Sequence, residues 1–165
     1  MINQEGGILA PEVSSEGVMK KFLAIFLSVG LLFTSTNAFA ITPDDIKTAM
    51  DSKGYTVVNV SENTVAVMYR GLAVMIAVDG RDGDVTYLAY LDDISSDMLS
   101  YDFLNRYNND VKFGRAFLDR QGDLAIQMDR NSSGGVTLQN VESDFMVFIS
   151  LVRKFVNDVQ SQVAA

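Results

Sequence analysis

Hydrophobic spacing along the chain switches between two periods. Thr42-Pro43-Asp44-Asp45 predicts a helix start. Thr42 can cap, Pro43 suits the first helical position, and the two aspartates sit where the helix dipole favours negative charge. Ile46, Ala49 and Met50 form its apolar stripe, and Gly54 ends it. From Tyr55 the period becomes two. Residues 55–60, 64–70, 72–78 and 85–91 read as strands, separated by Ser61-Glu62-Asn63, Arg70-Gly71 and the turn-rich DGRDG of residues 79–83. These connections are too short for helical crossovers, so the four strands form an antiparallel meander. Ser95 or Ser96 is expected to cap a second helix running to about Asn109, with Met98 or Leu99, Phe103, Leu104 and Tyr107 inward. Residues 112–119 and 123–129 flank the turn Arg120-Gln121-Gly122 as a hairpin. A last helix runs from about Leu138 to Gln160, where Val141, Phe145, Phe148, Ile149, Val152, Phe155, Val156 and Val159 recur at helical spacing. The fold class is α+β: a twisted antiparallel sheet of five to six strands with three helices, in the order α-β-β-β-β-α-β-β-α.

The alternation also sorts the strands onto two faces. One is bulky, from Val65 and Val67 through Ile76 and Tyr87 to Ile126 and Met128, with Phe113 and Phe117 assigned to it. The other carries Ala66, Met68, Ala73, Met75, Ala77, Leu88, Tyr90, Gly114, Ala116, Leu118, Ala125 and Gln127. This second face is small and semi-apolar, whereas the solvated face of an antiparallel sheet is usually polar. Two readings follow: one of the chain's own helices covers it, or a partner does, either a peptide or a second copy. Methionine and alanine suit an adaptable binding surface. Met68, Met75, Leu88, Tyr90 and Leu118 are the candidate partner-binding residues. The centre of the last helix, residues 145–152, is FMVFISLV, apolar nearly all round, and raises the same question.

Ahead of the folded region the pattern is different. Met19-Lys20-Lys21 precedes the uncharged apolar run FLAIFLSVGLLF of residues 22–33, a more polar stretch, and Ala38-Phe39-Ala40. A basic start, a short apolar run and an A-x-A site are the three parts of a secretory signal peptide, with cleavage expected after Ala40. The run is shorter than the roughly 20 apolar residues a membrane-spanning helix needs. No membrane anchor is then expected after cleavage. Residues 1–18 carry three glutamates and no basic residue, and read as an upstream extension or a miscalled start. Residues 19–40 are the signal and residues 41–165 a single domain, which is expected to be periplasmic or secreted.

Composition narrows the chemistry. The 165 residues include no His, no Cys and no Trp. That excludes a Ser–His triad, a thiol nucleophile and thiolate or imidazole metal ligation. It also excludes disulfides. Thirteen basic against 21 acidic residues give a net charge of -8, which argues against nucleic acid as a partner. Asp79, Asp82 and Asp84 suggest calcium at first sight, but the spacing fails the EF-hand pattern, and they read as turn charges. Ser132-Ser133-Gly134-Gly135 lacks the basic residue and spacing of a phosphate loop. No catalytic, cofactor or metal residue is expected, and no enzymatic activity.

Several stretches carry a family resemblance. They are Leu104-Asn105-Arg106-Tyr107-Asn108, Phe113-Gly114-Arg115-Ala116, residues 118–124 (LDRQGDL) and Gly134-Gly135-Val136-Thr137. Together they resemble the bacterial YbjN family, over about residues 55–155. The resemblance implies a fold like that of type III secretion chaperones and a sensory or regulatory role, with no catalytic residues to carry over. Asn105 and Asn108 are expected to end the second helix and bond loop backbone. The reading that results is a non-enzymatic exported domain binding a protein or peptide in the cell envelope. The alternative is a small-ligand sensor with a pocket between the sheet and the last helix.

Overall fold

The computed structural model describes residues 40–92, 94 and 99–163. The elements are α1 (Pro43–Ser52), β1 (Thr56–Ser61), β2 (Thr64–Tyr69), β3 (Leu72–Asp79), β4 (Asp84–Tyr90), α2 (Tyr101–Asp110), β5 (Gly114–Leu118), β6 (Leu124–Arg130) and α3 (Leu138–Val163). The six strands form one antiparallel sheet in the order β1-β2-β3-β4-β6-β5, so β5 crosses to the edge and β6 returns beside β4. This is the predicted class and order. Among the described residues no helix is long and apolar enough to cross a membrane. The signal segment and residues 1–18 lie outside the described residues.

Local chemistry sets the helix ends. Thr42 and Asp45 exchange bonds as a capping box around Pro43, and the bonds Asp45 accepts from Thr42 hold its carboxyl below the usual value. Gly54, at φ 85°, closes α1 in the left-handed region. At α2 the cap is Ser100, whose hydroxyl accepts from the Phe103 N–H, and the helix described starts at Tyr101. Ser95, Ser96 and Met98, expected at this helix start, lie outside the described residues. Thr137 and Asn140 make the reciprocal bonds that start α3.

All three helices pack on the bulky face. Ile46 and Met50 of α1, Phe103, Leu104 and Tyr107 of α2, and Val141, Phe145, Phe148, Ile149, Val152, Phe155 and Val159 of α3 are buried against Val65, Val67, Val74, Ile76, Val85, Tyr87, Ile126 and Met128. Two tyrosines fix α3 in place. The Tyr87 hydroxyl, at the sheet centre, donates to the Val141 carbonyl at 3.0 Å. The Tyr107 hydroxyl, on α2, donates to the Leu151 carbonyl at 2.8 Å. Each such bond contributes roughly 0.5–1.5 kcal/mol. Burial, reinforced by Asp158, pushes the Tyr107 phenol up to about 12; burial, reinforced by Asp144, raises Tyr87 as well.

The phase of β5 differs from the sequence reading. Gly114, Ala116 and Leu118 stand opposite Met128, Ile126 and Leu124, so they face the core. Phe117 faces the other way, and Phe113, before the strand, is 77% exposed at φ 71°. The physical reason is the approach of α3. A Cβ on Gly114 would lie 2.6 Å from a Leu151 methyl and 3.2 Å from the Gln127 carbonyl oxygen. The core above β5 has no room for a bulky side chain there.

Candidate functional site

The second sheet face is built by register. Val58, Ala66, Met75, Leu88, Gln127 and Arg115 stand opposite one another in turn, one row across all six strands. On one side of that row lie Thr56, Met68, Ala73, Tyr90, Ala125 and Phe117. On the other lie Thr64, Ala77, Thr86 and Asp129. The contacts that seat the helices, such as Tyr69 and Tyr87 against α3, all fall on the opposite face. The expectation that one of the chain's own helices covers this face is therefore overturned for the described residues.

The face has two textures. Met68, Met75, Leu88, Tyr90 and Phe117 form its apolar part, with Met68 and Tyr90 the most exposed at 37% and 36%. Tyr90 and Phe117 stand on either side of Ala125, which is fully buried between them. Ala66 is buried in the same way between Val58 and Met75. Small residues flanked by larger ones make shallow sockets, not a smooth surface. The polar part is a relay. Arg115 donates to Gln127 at 3.2 Å, Gln127 donates to Asp129 at 2.7 Å, and Thr86 donates to the same carboxylate at 2.8 Å. Arg115 also lies 5.5 Å from the Phe117 ring, joining the two parts.

Of the five residues predicted for this face, Met68, Met75, Leu88 and Tyr90 lie on it. Leu118 does not: it faces the core opposite Leu124, because β5 has the other phase. Phe117 takes its place. The signal for it was Arg115, since residues two apart in a strand share a face and a charged residue belongs on the solvated one.

Two clefts border the sheet and α3. One, of about 360 Å³, is lined by Phe113, Met128, Asp129, Arg130, Asn131, Asp144 and Val147. Arg130 donates from Nε and one Nη to the two carboxylate oxygens of Asp144, the second bond at 2.9 Å, and the carboxylate holds the guanidinium pKa above its ordinary value. The other, of about 340 Å³, lies between α1, Tyr55 and α3, where Lys53 pairs with Glu142 at 3.1 Å. Of the acidic turn residues, Asp82 pairs with the Arg81 side chain and the other two are committed to the backbone. Asp79 accepts from the Gly80 N–H and Asp84 from the Ser132 N–H. Among the described residues no three carboxylates are grouped to hold a metal.

Asn108 has a role the sequence reading placed elsewhere. Its side chain both donates to the Ala116 carbonyl at 2.9 Å and accepts from the Ala116 N–H at 2.8 Å. It holds a strand and not a loop, because α2 lies directly along β5. Asn105 is exposed on the same helix.

Comparison with known proteins places this arrangement. A solved structure described as "Crystal structure of YbjN, a putative transcription regulator from E. coli" shares the fold at a TM-score of 0.60 and 13% identity, covering 76% of this chain and 96% of the other. No curated protein sequence matches the chain. The family model described as "Putative bacterial sensory transduction regulator" matches residues 42–161, from the cap of α1 into the last turn of α3. The chain, whose described residues set three helices on one face of a six-stranded sheet, thus belongs to the YbjN family.

Proposed function

We propose that this YbjN-family chain is a non-enzymatic, exported binding module that takes a protein or peptide on the open sheet face. The observation that carries the reading is the cluster of Met68, Met75, Leu88, Tyr90 and Phe117 beside the Arg115–Gln127–Asp129 relay, on the face the helices leave free. Unbranched methionines and shallow alanine sockets accommodate an apolar segment, and the relay supplies donors and acceptors at its margin. A family described as a regulator is consistent with a module that works by contact. Export rests on the basic start Met19-Lys20-Lys21, the apolar run of residues 22–33 and the Ala38-Phe39-Ala40 site. Ile41, the first residue after the expected cleavage at Ala40, is already a core residue at 8% exposure.

The test is capture from envelope extract with the wild-type chain and with Leu88→Glu, which places a charge at the middle of the apolar cluster. A specific partner retained by wild type and lost by Leu88→Glu supports the reading; equal capture by both sinks it. N-terminal sequencing of the exported chain should begin at Ile41. A second reading, a small-ligand sensor, draws on the cleft beside Phe113, where an exposed aromatic in the left-handed region faces Val147 of α3. Native mass spectrometry of freshly isolated protein favours it if an added mass is present and is lost on Val147→Glu.

A further inference from the structure

The two edges of the sheet are not equivalent. At the β5 edge, the Asn108 side chain occupies both outward polar groups of Ala116, and Arg115 adds a charge. At the β1 edge the strand is TVVNVS, without charge or proline, and Val58 and Val60 are 49% and 55% exposed. Natural proteins normally blunt such an edge with lysine, proline or a covering element. Here α1 supplies a single bond, from the Lys47 ammonium to the Val57 carbonyl at 3.1 Å. That bond reaches Val57 from outside the β1–β2 ladder. It marks Val57, and by alternation Asn59, as the residues whose backbone groups point away from β2.

We infer that β1 pairs antiparallel with β1 of a second copy of this chain, about a two-fold axis through Val58. Three features select a second copy. The strand is self-complementary, since with no charged residue between Thr56 and Ser61 it meets its own copy without like-charge opposition. The flanks do not oppose like charges either: the same register sets Glu62 of one copy opposite Gly54 of the other. Finally, among the described residues only one edge is open, so pairing closes at two copies. Two open edges would propagate into a fibre, whereas one open and one blocked edge give a dimer. The bulge at Val60, where the register with β2 shifts, ends the regular segment. Pairing then uses Val57 and Asn59 of each copy and stays short. The row Val58–Ala66–Met75–Leu88 would run on across the axis, joining the two open faces into one. This inference does not depend on the proposed partner, because strand pairing uses the backbone groups of Val57 and Asn59, whereas the proposed partner contact centres on the side chains around Leu88.

Site-directed cross-linking of the full chain tests it, since the chain has no Cys of its own. In a non-hydrogen-bonded antiparallel pair the two Cα atoms at position 58 lie about 4.5 Å apart, within disulfide reach. Val58→Cys should therefore cross-link under mild oxidation at least about tenfold faster than Arg115→Cys, at the far end of the same row, because pairing raises the local thiol concentration. Adding Asn59→Pro removes an outward N–H and should abolish the cross-link while leaving the β1–β2 bonds in place. Val58→Lys, at an exposed position, should give a monomer mass by light scattering and guards against a proline variant that fails to fold. Equal rates for Val58→Cys and Arg115→Cys, or a cross-link that survives Asn59→Pro in folded protein, overturns the proposal. Leu88→Glu in the Val58→Cys background should keep the cross-link while losing partner capture, so failure of the dimer and failure of the binding face are read separately.

Discussion

The β5 edge and the β1 edge belong to the same sheet and face opposite fates. At β5, α2 lies along the strand, Asn108 saturates Ala116, and Leu151 of α3 presses onto Gly114. At β1, helix α1 reaches the edge with one lysine, and two valines stay exposed. The difference comes from connectivity. α2 is the crossover that carries the chain from β4, in the interior, out to β5, and so ends beside the edge it delivers. α1 precedes β1 through a tight turn at Gly54 and packs over the sheet. An edge is guarded here by the element that had to travel to it.

The contrast can be broken by degrees. Gly114→Val should have the largest effect, a loss of about 3 kcal/mol, because the Leu151 methyl can move aside but the Gln127 carbonyl cannot. Urea unfolding midpoints at unchanged slope would measure it. Asn108→Ala comes next, at about 2 kcal/mol, as it strands the Ala116 N–H and carbonyl. It should also add species larger than a dimer in sedimentation, because both edges are then open. A stable Asn108→Ala variant with unchanged sedimentation would break the comparison.

Tyr107→Phe should cost about 1 kcal/mol by releasing the bond to the Leu151 carbonyl that holds α2 against α3. It carries a pH signature. The folded phenol titrates at about 12 and an unfolded tyrosine near 10, so the folded state keeps its proton longer and stability falls as pH rises between those values. The phenylalanine variant should show a shallower alkaline loss in melting temperature, with Tyr87 responsible for part of what remains. Lys47→Met is the smallest effect, below about 1 kcal/mol, since the ammonium is partly exposed and its other partner is Asp51 on the same helix. If Lys47→Met instead promotes dimer formation, the lysine is a partial guard of the β1 edge, which sharpens the contrast.

Much of this was legible in the sequence, and unevenly so. The caps of α1, its end at Gly54, the meander β1–β4 and the buried stripe of α3 followed from local periodicity and turn chemistry. The faces of β2 and β3 were assigned correctly because valine and isoleucine alternate there with alanine and methionine, and that of β4 because Val85 and Tyr87 set its phase. In β5 the cue reversed. Phe113 and Phe117 are larger than Gly114 and Ala116, so size pointed inward and the candidate residue Leu118 went to the wrong face. Arg115 carried the opposite cue. Asn108 was recognisable as a polar group near a helix end, but not as the group that binds Ala116.

By itself the sequence determined the types and order of the elements and the hydrophobic phase of β2, β3 and β4, since both depend on contacts within a few residues along the chain. Only the tertiary structure decided the phase of β5, the closing of its edge by Asn108 and the openness of β1. Those depend on how near α3 comes to Gly114 and on where the crossover leaves α2, distances set by packing between segments far apart in the chain and written in no local pattern.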